Sequence, residues 1–202
     1  MRFQTSLFRG KARRRERGAS LLELAILLPL LAVMAFGVID LGRLIHARLV
    51  VTNVCREGGS LGSRDILQGQ QLISMLQSSA TPLNLQADGR IFITKIKSGL
   101  SERNPQPYID SLNSFSGGSY PVSSNIGTTT GQGVTGLSAT LLNHLRFEGA
   151  PQNTSDIAEI TVVEVFYHYR PITPLPGFVQ NNLFPAGPDG VRGILISSRA
   201  IF

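Results

Sequence analysis

Residues 13–39 read RRRERGASLLELAILLPLLAVMAFGVI and combine a basic run with a long apolar segment. A basic run ends at Gly18, and the twenty-one residues from Ala19 to Ile39 contain a single charge, Glu23. An α-helix needs roughly 20 apolar residues to cross the hydrocarbon core of a bilayer. The segment therefore predicts one membrane-spanning helix.

The charges on the two sides of this helix predict its orientation. Residues 2–17 hold seven Arg or Lys and one Glu, whereas the chain after Ile39 opens with a mixture of Asp40, Arg43 and Arg48. Positively charged segments are retained on the cytoplasmic side of a membrane. We therefore expect a cytoplasmic N-terminus and an extracytoplasmic location for everything beyond residue 40.

The net charge of +6 belongs to the basic leader alone, because from residue 19 onward twelve Lys and Arg balance twelve Asp and Glu. A nucleic-acid-binding domain needs a surplus of positive charge to neutralise phosphates, so we expect no nucleic-acid partner. The one cysteine, Cys55, cannot form a disulfide within the chain. The role of Cys55 is left open, with an intermolecular disulfide as one alternative.

Helical periodicity continues past the span. Apolar residues recur at helical spacing from Leu41 to Val54, with basic residues between them, which predicts one continuous helix over residues 19–57. Pro29 lies past its first turn and should kink it. The Gly58-Gly59-Ser60 stretch predicts the end of the helix, and residues 64–78 predict a second one.

The remaining residues, 58–202, predict one extracytoplasmic α+β domain. Alternation predicts strands over residues 90–97, 157–169 and 191–202, with a short helix over 137–147. The second strand should be central in the sheet, with Ile160, Val162 and Phe166 on one face and Val163, Val165, Tyr167 and Tyr169 on the other. Residues 98–136 are rich in Ser, Gly, Asn, Thr and Pro and predict a long polar loop. The expected fold class is thus a long N-terminal transmembrane helix that continues into a small domain with an antiparallel sheet.

Two glycine patterns match catalytic or cofactor motifs without the structural context that these motifs need. Residues 58–62 match G-x-S-x-G, which requires a preceding strand, but a helix is expected there. Residues 131–136 match G-x-G-x-x-G but follow a polar stretch instead of a buried strand. His46, His144 and His168 are isolated, and no carboxylate cluster has the spacing of metal ligands. We expect no catalytic residues, no metal and no cofactor.

Glu23 has two interpretations. In the first, Ser20 and Glu23 form a capping box at a helix N-terminus. In the second, the carboxylate has a functional partner, as ionisable residues within membrane spans usually do. Cleavage after Gly18 would create such a partner, the α-ammonium group of Ala19, in the same chain or at the foot of a neighbouring helix.

The basic leader, Gly18, Ala19 and Glu23 resemble the class III signal of type IV pilins and pseudopilins. Residues 18–25, with 28–31 and 36–43, resemble more specifically the TadE-like minor pseudopilins of the tight-adherence (Flp, type IVb) pilus system. The segment from Tyr167 to Pro174 and the closing residues 197–200 resemble that family more loosely. Leu24 stands where the major pilin of this system has tyrosine, which favours a minor component.

The resemblance implies cleavage of the leader, residues 1–18, between Gly18 and Ala19 by a prepilin peptidase. It also implies that Glu23 sets the register of packed helices during pilus assembly or priming, for adhesion and biofilm formation. The implied partners are other pilins and pseudopilins, the inner-membrane assembly platform and membrane lipid. The implied location is the bacterial cytoplasmic (inner) membrane, with possible incorporation in the pilus.

Three other functions stay open. The chain could be an uncleaved, membrane-anchored extracytoplasmic binding or sensor protein. It could instead be released by ordinary signal peptidase at Ala35-Phe36-Gly37, or it could be an extracytoplasmic enzyme. An N-terminus at Met1, a start near Val38, or a pocket with clustered ionisable groups would distinguish these three.

Overall fold

The computed structural model describes residues 9–64, 69–101, 103–127, 134–147, 157–173 and 177–202. Within them, the helices are α1 (Arg9–Ser63), α2 (Gly69–Ser79), α3 (Leu85–Asp88), α4 (Ala139–Leu145) and α5 (Gly177–Leu183). The strands are β1 (Gly89–Lys97), β2 (Tyr108–Gly117), β3 (Glu159–Tyr169) and β4 (Ile194–Ile201). The predicted fold class, a long N-terminal helix followed by an α+β domain, is confirmed.

The four strands form one antiparallel sheet in the order β2-β1-β3-β4. Strand β3 lies between β1 and β4, as its apolar pattern predicts, and pairs with β1 from Gly89↔Tyr167 to Lys97↔Glu159. Antiparallel neighbours of this kind need no crossover helix between them. The helices are therefore free to cover the faces of the sheet.

Helix α1 runs antiparallel to β3 along one face of the sheet. Its buried face carries Ala47, Val51, Val54 and Cys55, which pack against β3 residues such as Val163 in the main hydrophobic core. Helix α2 adds Leu72, Ile73 and Leu76 to the same core. Because burial of apolar surface is the main favourable term in folding, this interface fixes the domain to the upper half of α1.

The second face of the sheet carries a smaller core, and its members show that the predicted polar loop over residues 98–136 was wrong in part. Residues 108–117 form the edge strand β2, and Tyr120, Ile126 and Val134 are buried. Ile126 and Val134 pack with Ile160 and Val162 of β3 and with Leu145 of α4. This confirms the predicted division of β3 into two faces. The composition of this segment is typical of a loop, but part of the segment covers the second face of the sheet.

Strand β2 does not alternate in sequence because it contains a bulge. Its register with β1 shifts between Ile93 and Lys95, so that residues 111–114 stand opposite Thr94. The Asp110 carboxylate accepts hydrogen bonds from the Leu112 N–H (3.2 Å) and the Asn113 side chain (2.8 Å) and pairs with Lys97 at 2.7 Å. The Lys97 ammonium group and the Asn113 amide lower the Asp110 pKa to about 2. Local side-chain hydrogen bonds thus define the bulge.

The predicted end of α1 at residues 58–60 was also wrong, since the helix continues to Ser63. Gly58 and Gly59 are positions of close approach. A Cβ atom at Gly58 would lie 2.8 Å from Leu76 Cδ1 and 3.3 Å from Val163 Cγ1, and one at Gly59 would collide with the Phe202 ring. These glycines let α1 pack tightly against α2 and the end of the sheet, although they cost some intrinsic helix stability.

Candidate assembly helix and membrane junction

The N-terminal part of α1 projects beyond the domain. Every residue from Ala19 to Leu31 is exposed, including the large apolar side chains of Leu21, Leu22 and Ile26. Within the helix, an 18-residue stretch with a mean hydropathy of 2.5 has no buried residue. Exposed apolar surface of this extent requires a partner such as lipid or another apolar helix. By length and composition this helix can cross a membrane.

Of the predicted site residues, Ala19, Glu23 and Pro29 lie on this projecting part of α1 and not against the domain. The helix is continuous through Gly18, Ala19, Glu23 and Pro29. The Glu23 side chain is exposed and makes no hydrogen bond or ion pair with the residues that the structure describes. A kink at Pro29 and cleavage after Gly18 stay predictions.

The geometry of α1 argues against the capping-box interpretation in the uncleaved chain. A capping box satisfies free N–H groups in the first turn of a helix. Here α1 begins at Arg9, so Ser20 and Glu23 lie in the interior, where backbone N–H groups already bond to the preceding turn. In a chain that starts at Ala19, Glu23 would instead be in the first turns. Its side chain would lie on the same helix face as Ala19, about 6 Å away.

The junction between the projecting helix and the domain is built around Asp40, the first charged residue after Glu23. Asp40 is 3 % exposed. Its carboxylate accepts hydrogen bonds from the Ile172 N–H (3.3 Å), the Tyr169 hydroxyl (3.4 Å) and the Thr173 hydroxyl. The Tyr169 hydroxyl also lies 3.1 Å from the Asp40 backbone oxygen. Burial, together with the negative charge of Asp40, raises the Tyr169 pKa. Asp40 therefore ties the end of β3 to α1 at the edge of the apolar span.

The sequence did not indicate this junction. Asp40 gives the same local signal as any charged residue that follows a membrane span, and its donors come from the chain 129 to 133 residues later. The signal that could have found it is the polar Tyr169 at the end of an apolar strand, because a buried tyrosine hydroxyl usually has a hydrogen-bond partner.

We expect Tyr169→Phe to destabilise the domain by about 1.5 kcal/mol, since it removes a buried hydrogen bond to a carboxylate. Guanidinium chloride unfolding of the full chain in detergent, followed by circular dichroism, measures this difference. Tyr108→Phe is the matched control, because the Tyr108 hydroxyl makes no hydrogen bond with the described residues. Equal unfolding midpoints for the two variants would contradict a stabilising role for the junction.

The surroundings of the other reactive or ionisable groups of the domain indicate structural roles for them. Cys55 is fully buried, its thiol donates to the Val163 backbone oxygen (3.2 Å), and burial raises its pKa. A buried thiol of this kind is unreactive, so in this fold Cys55 is not available for a disulfide between chains. Ser60 lies within α1, where the strained strand-to-helix turn of a nucleophile elbow is absent. Residues 131–133 of the second glycine pattern lie outside the described residues.

His168 is the most enclosed histidine that the structure describes. Its ring is 1 % exposed, stacks on Tyr120 with ring centroids 4.9 Å apart, and has Nδ1 3.3 Å from Asp189 Oδ2. Neither ring nitrogen makes an aligned hydrogen bond in the described part of the chain. The described residues contain no group of three or more His, Cys, Asp or Glu side chains that could hold a metal ion.

These features define a class of protein: a single-pass membrane-anchored protein whose apolar helix continues as the packing helix of a small α+β domain. The family comparison makes this more specific, because residues 18–60 match the family model described as TadE-like protein. The match begins at Gly18, includes Glu23, Pro29 and Asp40, and ends near the C-terminus of α1. It confirms the TadE-like resemblance for this segment. The family implies an association with the tight-adherence pilus.

The family match covers residues 18–60. Comparison with curated proteins and with solved structures found no match to this chain. The looser resemblance of residues 167–174 and 197–200 to the same family therefore stays a prediction. The domain must be understood from its own contacts.

Proposed function

We propose that this chain is the precursor of a minor pseudopilin that acts in assembly or priming of a tight-adherence pilus and so in adhesion and biofilm formation. A prepilin peptidase removes residues 1–18. The mature helix stays in the cytoplasmic membrane, with its N-terminus on the cytoplasmic side and the domain outside. Its work is interaction with other pilins, pseudopilins and the inner-membrane assembly platform, and it is not an enzyme.

The observation that carries this proposal is the placement of Glu23. The carboxylate is exposed on a bare apolar helix, within the segment that matches the TadE-like family, one helical turn beyond Ala19. Lipid offers no partner for this charge, and a charged side chain costs on the order of 2.5 to 3.5 kcal/mol at a membrane centre on insertion scales, with a smaller cost near the end of the span, where Glu23 lies. A neighbouring N-terminal ammonium group offers a partner. The pair forms only at one stagger of adjacent helices, so it selects their register.

The domain supports the same function. Its main core packs against α1 from Ala47 to Cys55. The hydrogen bonds of Asp40 fix the direction in which the apolar helix leaves the domain. A helix held this way carries the domain with it when the helix moves from lipid into a protein assembly.

The first test is the intact mass and N-terminal sequence of the membrane-extracted protein, from cells with and without the prepilin peptidase. We expect a mature chain that starts at Ala19 only when the peptidase is present. A start at Met1 in both strains would favour the uncleaved anchored sensor. A start near Val38 would mean that the domain is released.

A further inference from the structure

We propose that the base of the domain is embedded in the headgroup region of the membrane. There, a groove between α1 and the sheet holds the phosphate headgroup of one phospholipid. This inference needs only that α1 spans the bilayer. It does not depend on cleavage, orientation or pilus assembly.

The part of α1 that is exposed on every side is shorter than the hydrocarbon core of a bilayer is thick. The part of α1 that is exposed on every side, Ala19–Leu31, has thirteen residues, which span about 20 Å at ~1.5 Å per residue. The hydrocarbon core of a bilayer is about 30 Å thick. The span cannot extend toward the N-terminus, because residues 13–17 carry four arginines and a glutamate. It must therefore continue up to about Val38.

At that level the domain is already present. Ala32, Val33 and Phe36 are partly buried, and Phe36 packs against the main core of the domain. The last 10 Å or so of the span thus has lipid on one side and the domain on the other. Whatever the domain exposes at this level faces lipid.

The exposed surface there is apolar and borders a groove of about 680 Å³. Ile172 is 64 % exposed, and its N–H bonds to Asp40, which places it at the junction. Together with Val38 and Ile39 of α1, it forms the apolar end of the groove, which Leu83 also lines. This end is at the level where acyl chains begin.

The opposite end of the groove is polar. Arg43 and His46 line it, about 6 and 10 Å further along α1 than Ile39 at ~1.5 Å per residue. Arg43 makes no ion pair with the described residues, and its guanidinium group hydrogen-bonds to the Tyr169 hydroxyl. Arg170, by contrast, is already paired with Asp88 (2.8 Å) and Asp189 (3.4 Å). Tyr167 and Tyr169 also line the groove, and tyrosine is enriched at membrane interfaces. A guanidinium group that has no carboxylate partner among the described residues and lies beyond an apolar end suits a phospholipid phosphate.

The chain contains no tryptophan, so a single introduced tryptophan reports its own surroundings. We would place Ile172→Trp and the control Leu112→Trp in the full chain, in vesicles that contain phosphatidylglycerol and a phosphatidylcholine brominated near the top of its acyl chains. Leu112 is 85 % exposed and lies in the β2 bulge. The bulge is level with Val162, which is seven residues from Tyr169 along β3, or about 23 Å at ~3.3 Å per residue.

We expect blue-shifted emission that the brominated lipid quenches for Ile172→Trp, and red-shifted, unquenched emission for Leu112→Trp. Equal quenching of the two variants would overturn the proposal that the base of the domain is embedded.

Native mass spectrometry in mild detergent tests the groove. It should show one retained phospholipid on the unsubstituted chain and on Arg103→Gln, an exposed control, and none on Arg43→Gln. Equal retention by the two arginine variants, or displacement of the lipid by added inorganic phosphate, would overturn the headgroup site.

Discussion

Glu23→Ala is expected to abolish most pilus assembly while leaving the protein inserted in the membrane and cleaved at Ala19. The substitution makes the span more apolar, so insertion does not suffer. What is lost is the pairing of the carboxylate with an N-terminal ammonium group. If this pair favours the correctly staggered helices by on the order of 2 kcal/mol, its loss lowers correct assembly by at least about tenfold.

The measurement is the amount of pilin in the sheared surface fraction, with the membrane content and the N-terminus of the variant checked in parallel. Glu23→Gln keeps the shape of the side chain and should fail in the same way, because it lacks the charge. Glu16→Ala is the matched control, since Glu16 lies in the leader that cleavage removes. Normal piliation in the Glu23→Ala strain would rule out the register role and leave Glu23 without a proposed function.

The second large effect is expected at Glu164, on the face of the sheet opposite α1. Glu164 is 1 % exposed, and both of its oxygens are occupied. Oε1 accepts hydrogen bonds from Arg199 Nε (3.2 Å) and Nη2 (2.9 Å), and Oε2 accepts them from the Ser124 hydroxyl (2.5 Å) and the Asn125 N–H (3.2 Å). Arg199 Nη1 in turn donates to the Gly136 oxygen (2.6 Å). One carboxylate thus joins two strands to the polar segment that covers them.

We expect Glu164→Ala to destabilise the domain by about 2 to 3 kcal/mol, because the Ser124 hydroxyl and the Asn125 N–H lose their acceptor while Arg199, with a side chain that is 30 % exposed, can turn to solvent. Guanidinium chloride unfolding of the full chain in detergent measures the change. Hydrogen exchange should show the largest loss of protection around Asn125. Glu159→Ala is the control on the same strand: Glu159 pairs with Lys95 at 3.1 Å but is 43 % exposed. Glu159→Ala should lower the free energy of unfolding by less than about 1 kcal/mol. Similar losses for both variants would show that burial of the Glu164 network contributes nothing extra.

The apolar span, its continuation as an amphipathic helix and the faces of β3 could be read from the sequence because each depends on neighbouring residues. Hydrophobic length and a period of 3.6 or 2 residues are local properties. The Gly18-Ala19 junction and Glu23 could be identified for the same reason. Ala19 and Glu23 lie on a part of α1 that the domain does not cover, so no tertiary contact of the domain alters their surroundings.

Strand β2 was missed because its signal is not local. Ser111, Asn113 and Ser114 give the composition of a loop, and the strand exists because β1 offers an unpaired edge and Asp110 holds the bulge. Gly58 and Gly59 were predicted to end α1, but the helix continues through them. Their effect on helix propensity is visible in the sequence, but their close contacts with Leu76 and Phe202 are not.

Composition and spacing along one helix are enough to identify, from the sequence, an apolar helix of membrane-spanning length, the Gly18-Ala19 junction and the lone carboxylate of Glu23. Which of the other charges are buried depends on the tertiary structure. Asp40 and Glu164 look like ordinary surface residues until β3, β4 and the segment around Asn125 bring donors to them from 35 to 133 residues away. A charge can be buried only where such donors converge, and that convergence is a property of the folded chain.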